Sequence, residues 1–212
     1  MKATLSEEVS ILYPGMRFAI VQGDVGSPEF EQKTEALSRD FRPVLMEREV
    51  EIRESIKYFD DFFKSEGHSG PLLGQFSSTK KKGLPPVPPL VKALLYSEMT
   101  TGVLMGIQDG DKVEGELLLD LAQEGEEFVG MRGKIDCRRD EVVVRDGAGI
   151  VASFFQGPDK KTQVEARTTC AVFYVFSTPN LPERTFVSAI ETVQDFFPRD
   201  SEVVLCGQGP AV

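Results

Sequence analysis

The chain has 212 residues, 41% of them hydrophobic and 15 of them Phe, which suits one domain with a sizeable core. Thirty-four acidic residues against 24 basic give a net charge of −10, which argues against a strong nonspecific nucleic-acid binder but leaves room for a local basic patch. No apolar run approaches ~20 residues and the N-terminus has no signal-type apolar core, so neither a membrane span nor a secretory leader is expected.

After the Tyr13-Pro14-Gly15 turn, Met16, Phe18 and Ile20 alternate with Arg17, Ala19 and Val21, which predicts a largely buried strand. Ser27 or Pro28 is placed to start a helix, with Pro28 at its first position. Residues 29–66 carry a helical pattern broken at Pro43. In its second half Ile52, Ile56, Phe59 and Phe63 step by four, three and four, with Leu45 a heptad earlier, and predict a helix over 44–66 packed on a sheet. Residues 67–89 are rich in Gly, Ser and Pro and predict a loop. It holds the single His, His68, read as solvent-exposed, and the run Lys80-Lys81-Lys82, read as a solvated tip or a contact for an RNA backbone. Residues 85–89 form a stiff extended lead into a short helix over 90–98, ended by residues 99–102. Residues 103–107 are an apolar run, either a buried strand or a pocket wall.

Residues 109–149 alternate short apolar runs with charged, glycine-bearing turns, the pattern of an antiparallel sheet. Gly115, Gly125, Gly130 and Gly133 interrupt every helical period in this stretch. Residues 150–155 predict a further strand and 156–161 a loop. Residues 171–176 are continuously apolar and predict a central strand. Asn180 is placed to cap a helix over 182–197, in which Phe186, Ile190, Val193 and Phe197 again step by four, three and four. Residues 203–206 suit a last short strand or an ordered tail, and the Gly-Gln-Gly-Pro after them suits disorder. Cys137, Cys170 and Cys206 share no metal-ligand spacing and are read as reduced thiols of a cytoplasmic protein, with Cys170 buried. No phosphate-binding glycine motif or nucleophile elbow is present. The fold class expected is α+β, a layered, sandwich-like core of mainly antiparallel strands flanked by helices, in a single domain.

Lys112-Val113-Glu114-Gly115, then the run from Leu121 to Phe128 with Glu124-Gly125-Glu126, then Val144-Arg145-Asp146 resemble the B3/B4 editing domain of the phenylalanyl-tRNA synthetase β subunit, in its free-standing form. The resemblance spans about residues 58–197. It implies hydrolysis of wrongly charged tRNA, needed because a hydrophobic pocket separates similar side chains by only ~1–3 kcal/mol. It also implies tRNA or aminoacyl-tRNA as partner, no DNA, no membrane and no cofactor or metal. The resemblance places a His of the synthetase pattern at Gly106 and a Glu near Tyr174 here, so both are absent. The groups left to orient a water or a ligand are Thr168, Thr169 and Tyr174 as candidate catalytic residues, and Gly106, Glu114, Asp146, Gln156 and Gly157 as candidate substrate contacts. Each has an ordinary alternative as a strand or turn residue. Lys80, Lys81, Lys82, Lys160 and Lys161 are candidate contacts for an RNA backbone. Three functions follow: an aminoacyl-ester hydrolase acting in trans, an RNA- or amino-acid-binding module without the chemistry, and an acidic protein-interaction subunit. The resemblance implies that residues 103–176 enclose a small recess sized for an amino acid, with a polar-lined pocket beside Gly106, Tyr174 and Gln156-Gly157 as its mark. Oligomeric state is left open.

Overall fold

A computed structural model describes residues 1–197 and 202–206. The chain begins with β1 (Ala3–Leu5), α1 (Glu7–Leu12) and β2 (Phe18–Asp24). Four helices follow: α2 (Pro28–Glu47), α3 (Glu49–Ser65), α4 (Leu72–Lys82) and α5 (Pro89–Thr101). Then come β3 (Met105–Asp109), β4 (Leu117–Leu121), β5 (Glu127–Gly130), β6 (Gly133–Asp136), β7 (Val142–Asp146), β8 (Gly149–Ser153), β9 (Gly157–Pro158) and β10 (Cys170–Phe176), closed by α6 (Glu183–Gln194) and β11 (Glu202–Cys206). The fold is α+β. One sheet has the order β1-β4-β7-β8-β9, a second β11-β2-β10-β3, and β5-β6 is a separate hairpin. Every pairing between these strands is antiparallel except β1 with β4.

Several elements differ from their sequence readings, each for a local reason. The region read as a loop over 67–89 holds α4, because Gly70-Pro71 and Gly83 bound an eleven-residue run whose Leu72, Phe76 and Thr79 bury one face. The helical stretch before it breaks at Arg48, between α2 and α3, and not at Pro43. Pro43 removes the bond to the Arg39 carbonyl, but both residues are exposed and water satisfies that group at little cost. Ser27 caps α2 through its Oγ, which accepts from the Phe30 amide at 3.2 Å, with Pro28 at the first turn. Residue 180 does not cap α6; Pro182 stands at that end. Cys170 is half-buried, its sulfur 3.2 Å from Gln22 Nε2, whereas Cys137 is buried. The reading of disorder for residues 207–210 lies outside the described residues.

β10 is an interior strand of its sheet, buried from Ala171 to Phe176, with β2 on one side and β3 on the other. Its sequence, Cys170-Ala171-Val172-Phe173-Tyr174-Val175-Phe176, has apolar side chains for both faces, as a strand covered on both sides requires. Helices α2, α3, α4 and α6 and strand β3 all pack on α5. That is why α5 lacks a clean polar face: Leu90, Ala93 and the whole turn Ser97–Thr101 are buried. It stops at Gly102, which has φ 71°. A Cβ there would lie 2.4 Å from the Ile52 carbonyl oxygen, so only glycine lets α3 approach this closely. Phe59, Phe62 and Phe63 of α3 pack on Phe154 after β8, and Phe154 in turn meets Phe176 with ring centres 4.9 Å apart. Aromatic pairs of this kind add about 0.5–1.5 kcal/mol each beyond the area they bury. Among the described residues no helix is long and apolar enough to cross a membrane.

Candidate functional site

Where β3 and β10 face α4 and α5, the packing leaves a recess of about 740 Å³, within the range that small-molecule sites occupy. Its floor starts from a sequence choice on two neighbouring strands. Tyr174 of β10 stands opposite Gly106 of β3 in the ladder. The phenol lies across the glycine: a Cβ at Gly106 would come 2.0 Å from the Tyr174 ring carbon Cζ and 2.2 Å from its hydroxyl. So Gly106 and Tyr174 are cross-strand neighbours, and the buried tyrosine ring fills the space over the glycine.

Two polar groups that line the recess have unmet hydrogen-bonding capacity. Glu98 of α5 is 5% exposed. Its Oε1 accepts from the Met105 amide at 3.1 Å, and its other oxygen has no partner among the described residues. Burial pushes this carboxyl up to about 8, offset only in part by the Met105 N–H. The Tyr174 hydroxyl, in a side chain 2% exposed, makes no hydrogen bond with any described residue. Burial first, then the charges of Asp159 and Glu98, hold its proton on well beyond the usual range. Gln75 of α4 also lines the recess, but its Oε1, without a partner among the described residues, is packed against protein and does not open into the cavity. Apolar surface surrounds them, from Leu94, Leu104, Met105, Phe154 and Phe176.

A different network builds the side wall. Glu141, at the start of β7, is 4% exposed and fully engaged. Ser153 Oγ donates to its Oε1, Gln156 Nε2 lies 2.9 and 3.1 Å from its two oxygens, and the Arg138 amide donates to Oε2 at 3.2 Å. Ser153 Oγ also accepts from the amides of Phe155 and Gln156, at 3.1 and 3.0 Å. These bonds fix the Ser153–Pro158 turn as a wall, with Gly157 at φ 90°, a conformation that other residues rarely adopt. His68 is not solvent decoration: it is half-buried, with its ring stacked on Phe155 at 4.6 Å and 11°. Exposed Arg132, in the turn of the β5–β6 hairpin, lines the mouth.

Of the residues singled out from the sequence, Gly106, Tyr174, Gln156 and Gly157 meet in this recess. Four do not line it. Thr168 Oγ1 donates to buried Asp109 at 2.8 Å and Thr169 Oγ1 to Asp111 at 3.1 Å, both at the far end of β10 from Tyr174. Asp146 accepts from the amides of Glu114 and Ala148, at 2.9 and 2.8 Å, and so ties two turns together. Among the lysines, Lys80 is paired with Glu49 and Lys161 with Glu114, at 2.5 and 2.6 Å. Lys81, Lys82 and Lys160 have no ion pair among the described residues. Glu98 and Gln75 were not singled out, since the sequence places Glu98 at the end of a short helix and Gln75 in a loop. No group of three His, Cys, Asp or Glu among the described residues could hold a metal ion.

No family model matches the chain, and no curated protein matches it. Among solved structures it is similar to an N-terminal fragment of the phenylalanyl-tRNA synthetase β-subunit from Pyrococcus horikoshii, with a TM-score of 0.45 and 11% identity, over 96% of this chain and 50% of that one. The chain therefore spans half the length of that fragment. At this score and identity no residue role passes from the fragment to this chain.

Proposed function

We propose that the protein is a binding domain whose recess takes an amino-acid-type ligand, presented in the fullest form of this reading as the aminoacyl end of a tRNA. One observation carries it: Glu98 and Tyr174, both more than nine-tenths buried, leave polar atoms without partners among the described residues in a mostly apolar cavity. A ligand with an apolar body and a polar end supplies what the chain withholds. Of the candidate lysines, Lys81, Lys82 and Lys160 have no ion pair among the described residues and are left to meet an RNA backbone. With tRNA as partner the protein works in the cytoplasm.

Binding is favoured over ester hydrolysis because the hydroxyls of Thr168 and Thr169 are committed to Asp109 and Asp111, away from the recess. The test is a panel of aminoacyl-tRNAs and free amino acids, measured for binding and for release of amino acid. Expected is binding that Tyr174→Phe weakens, without deacylation above the uncatalysed rate. For the tRNA form, binding should weaken as salt rises, and replacing Lys81, Lys82 and Lys160 with Gln should lower the salt slope by up to about three phosphate contacts. Deacylation of any member would make the protein a hydrolase. Failure of every member to bind would remove the reading.

A further inference from the structure

We infer that the recess is built to hold a primary ammonium group, with the Glu98 carboxyl and the Tyr174 hydroxyl as its acceptors. This deepens the proposed function and rests on the recess being a ligand site. An ammonium brings three donors and no acceptor. The recess offers acceptors to match: a Glu98 carboxyl oxygen and the Tyr174 hydroxyl oxygen, neither with a partner among the described residues. A neutral hydroxyl on the ligand could answer these groups only in part, because it carries a single donor. The charge also decides. A carboxylate kept from water is costly on its own, and a cation beside it offsets that cost. The other charged residue lining the cavity, Arg132, sits at the exposed mouth, so a ligand's anionic end, a carboxylate or a phosphate, belongs there. The amine goes in first and the apolar side chain lies along Leu104, Phe154 and Phe176.

This arrangement makes binding release a proton. In the empty site the Glu98 carboxyl keeps its proton up to about pH 8. The titratable and charged groups around it are Tyr174 from β10, which stays protonated throughout, and Arg132, the other charged residue of the lining; Asp159 acts on Tyr174. A bound ammonium selects the carboxylate, so the proton leaves to solvent. Below pH 8 affinity for an amine should therefore rise about tenfold per pH unit and level off above it.

Isothermal titration calorimetry of the full chain tests this with two matched pairs of probes: isopentylamine against isopentanol, and 2-phenylethylamine against 2-phenylethanol. Each pair differs only in the amine. The expected result is at least tenfold tighter binding of the amine at pH 8.5. One proton should be released per amine bound at pH 7, read from buffers of different ionisation enthalpy, and the alcohols should show no pH slope. Glu98→Gln, checked for unchanged circular dichroism, should remove both the amine preference and the slope. Tyr174→Phe should weaken the amine and keep the slope. Alcohols that bind as tightly as the amines, with no pH slope, would overturn the ammonium site and leave the recess as a ligand site. A slope that persists in Glu98→Gln would also overturn it. If none of the four probes binds, both readings fall.

Discussion

Two buried carboxyls serve the recess, and their surroundings differ sharply. Glu141, behind the side wall, is met by Ser153, Gln156 and the Arg138 amide. Glu98, at the inner end, is met by one backbone amide and faces open space. The two have nearly equal exposure, 4% and 5%, so depth does not explain the contrast. The chain is able to surround an interior acid with donors, and it does so where the acid holds a turn in place. At Glu98 it supplies no such donors, which leaves a group that raises the energy of the empty protein and gains most from an added partner.

The largest way to sharpen that contrast is pH. Unfolded, the Glu98 carboxyl titrates at the ordinary 4.5; folded, at about 8. Between those values the folded state binds the extra proton. The stability this group contributes is therefore fully present below pH 4.5 and is lost progressively as pH rises to 8, at up to about 1.4 kcal/mol per pH unit. Urea denaturation from pH 5 to 9 should show Glu98→Gln gaining on the wild type throughout that window, with the gap flat above pH 8. A parallel pair of curves would mean that Glu98 is not held protonated.

Gly106→Ala comes next. The added methyl enters the Tyr174 ring, with an expected cost of about 1–3 kcal/mol. The double change with Tyr174→Leu should recover much of it, and a cycle that sums without coupling would show that the ring does not lie where it is described. Glu141→Gln should be milder, near 1–2 kcal/mol, because the new amide still accepts one bond but turns its N–H₂ toward other donors. Its expected signature is a looser wall, read as faster amide exchange in residues 153–158, with the amine preference of the recess unchanged. At the small end, Lys57→Ala removes an exposed i,i+4 partner of Asp61 on α3 and should leave the denaturation midpoint where it was.

Much of this architecture was legible in the chain. The alternation and turn spacing of residues 109–153 translate directly into β4 to β8, and the four-three-four steps of α3 and α6 point the right faces inward. Gly106 and Tyr174 could be singled out one by one, but their pairing is a fact of register between strands 68 residues apart, which no local pattern encodes. α4 was hidden because glycine, serine and proline at its borders outweighed the Leu72, Phe76, Thr79 face within. Glu98 was hidden for a different reason. A polar Ser-Glu-Met-Thr-Thr end reads as a helix terminus in water, and its burial comes from elements elsewhere in the sequence. One weak clue was there: the positions three and four away are Leu94, Leu95, Thr101 and Gly102, so no lysine or arginine stands where a surface glutamate often finds one.

Gly102 has a use outside this molecule. The α3 backbone leaves no room for a side chain at that position, so related chains that share the arrangement must spell glycine there. Glu98, Gly102 and Gly106 follow one another at intervals of four, and Tyr174 completes the set. That sparse fingerprint, a few letters fixed by steric and electrostatic necessity, is a way to find kin whose overall spelling has drifted beyond alignment.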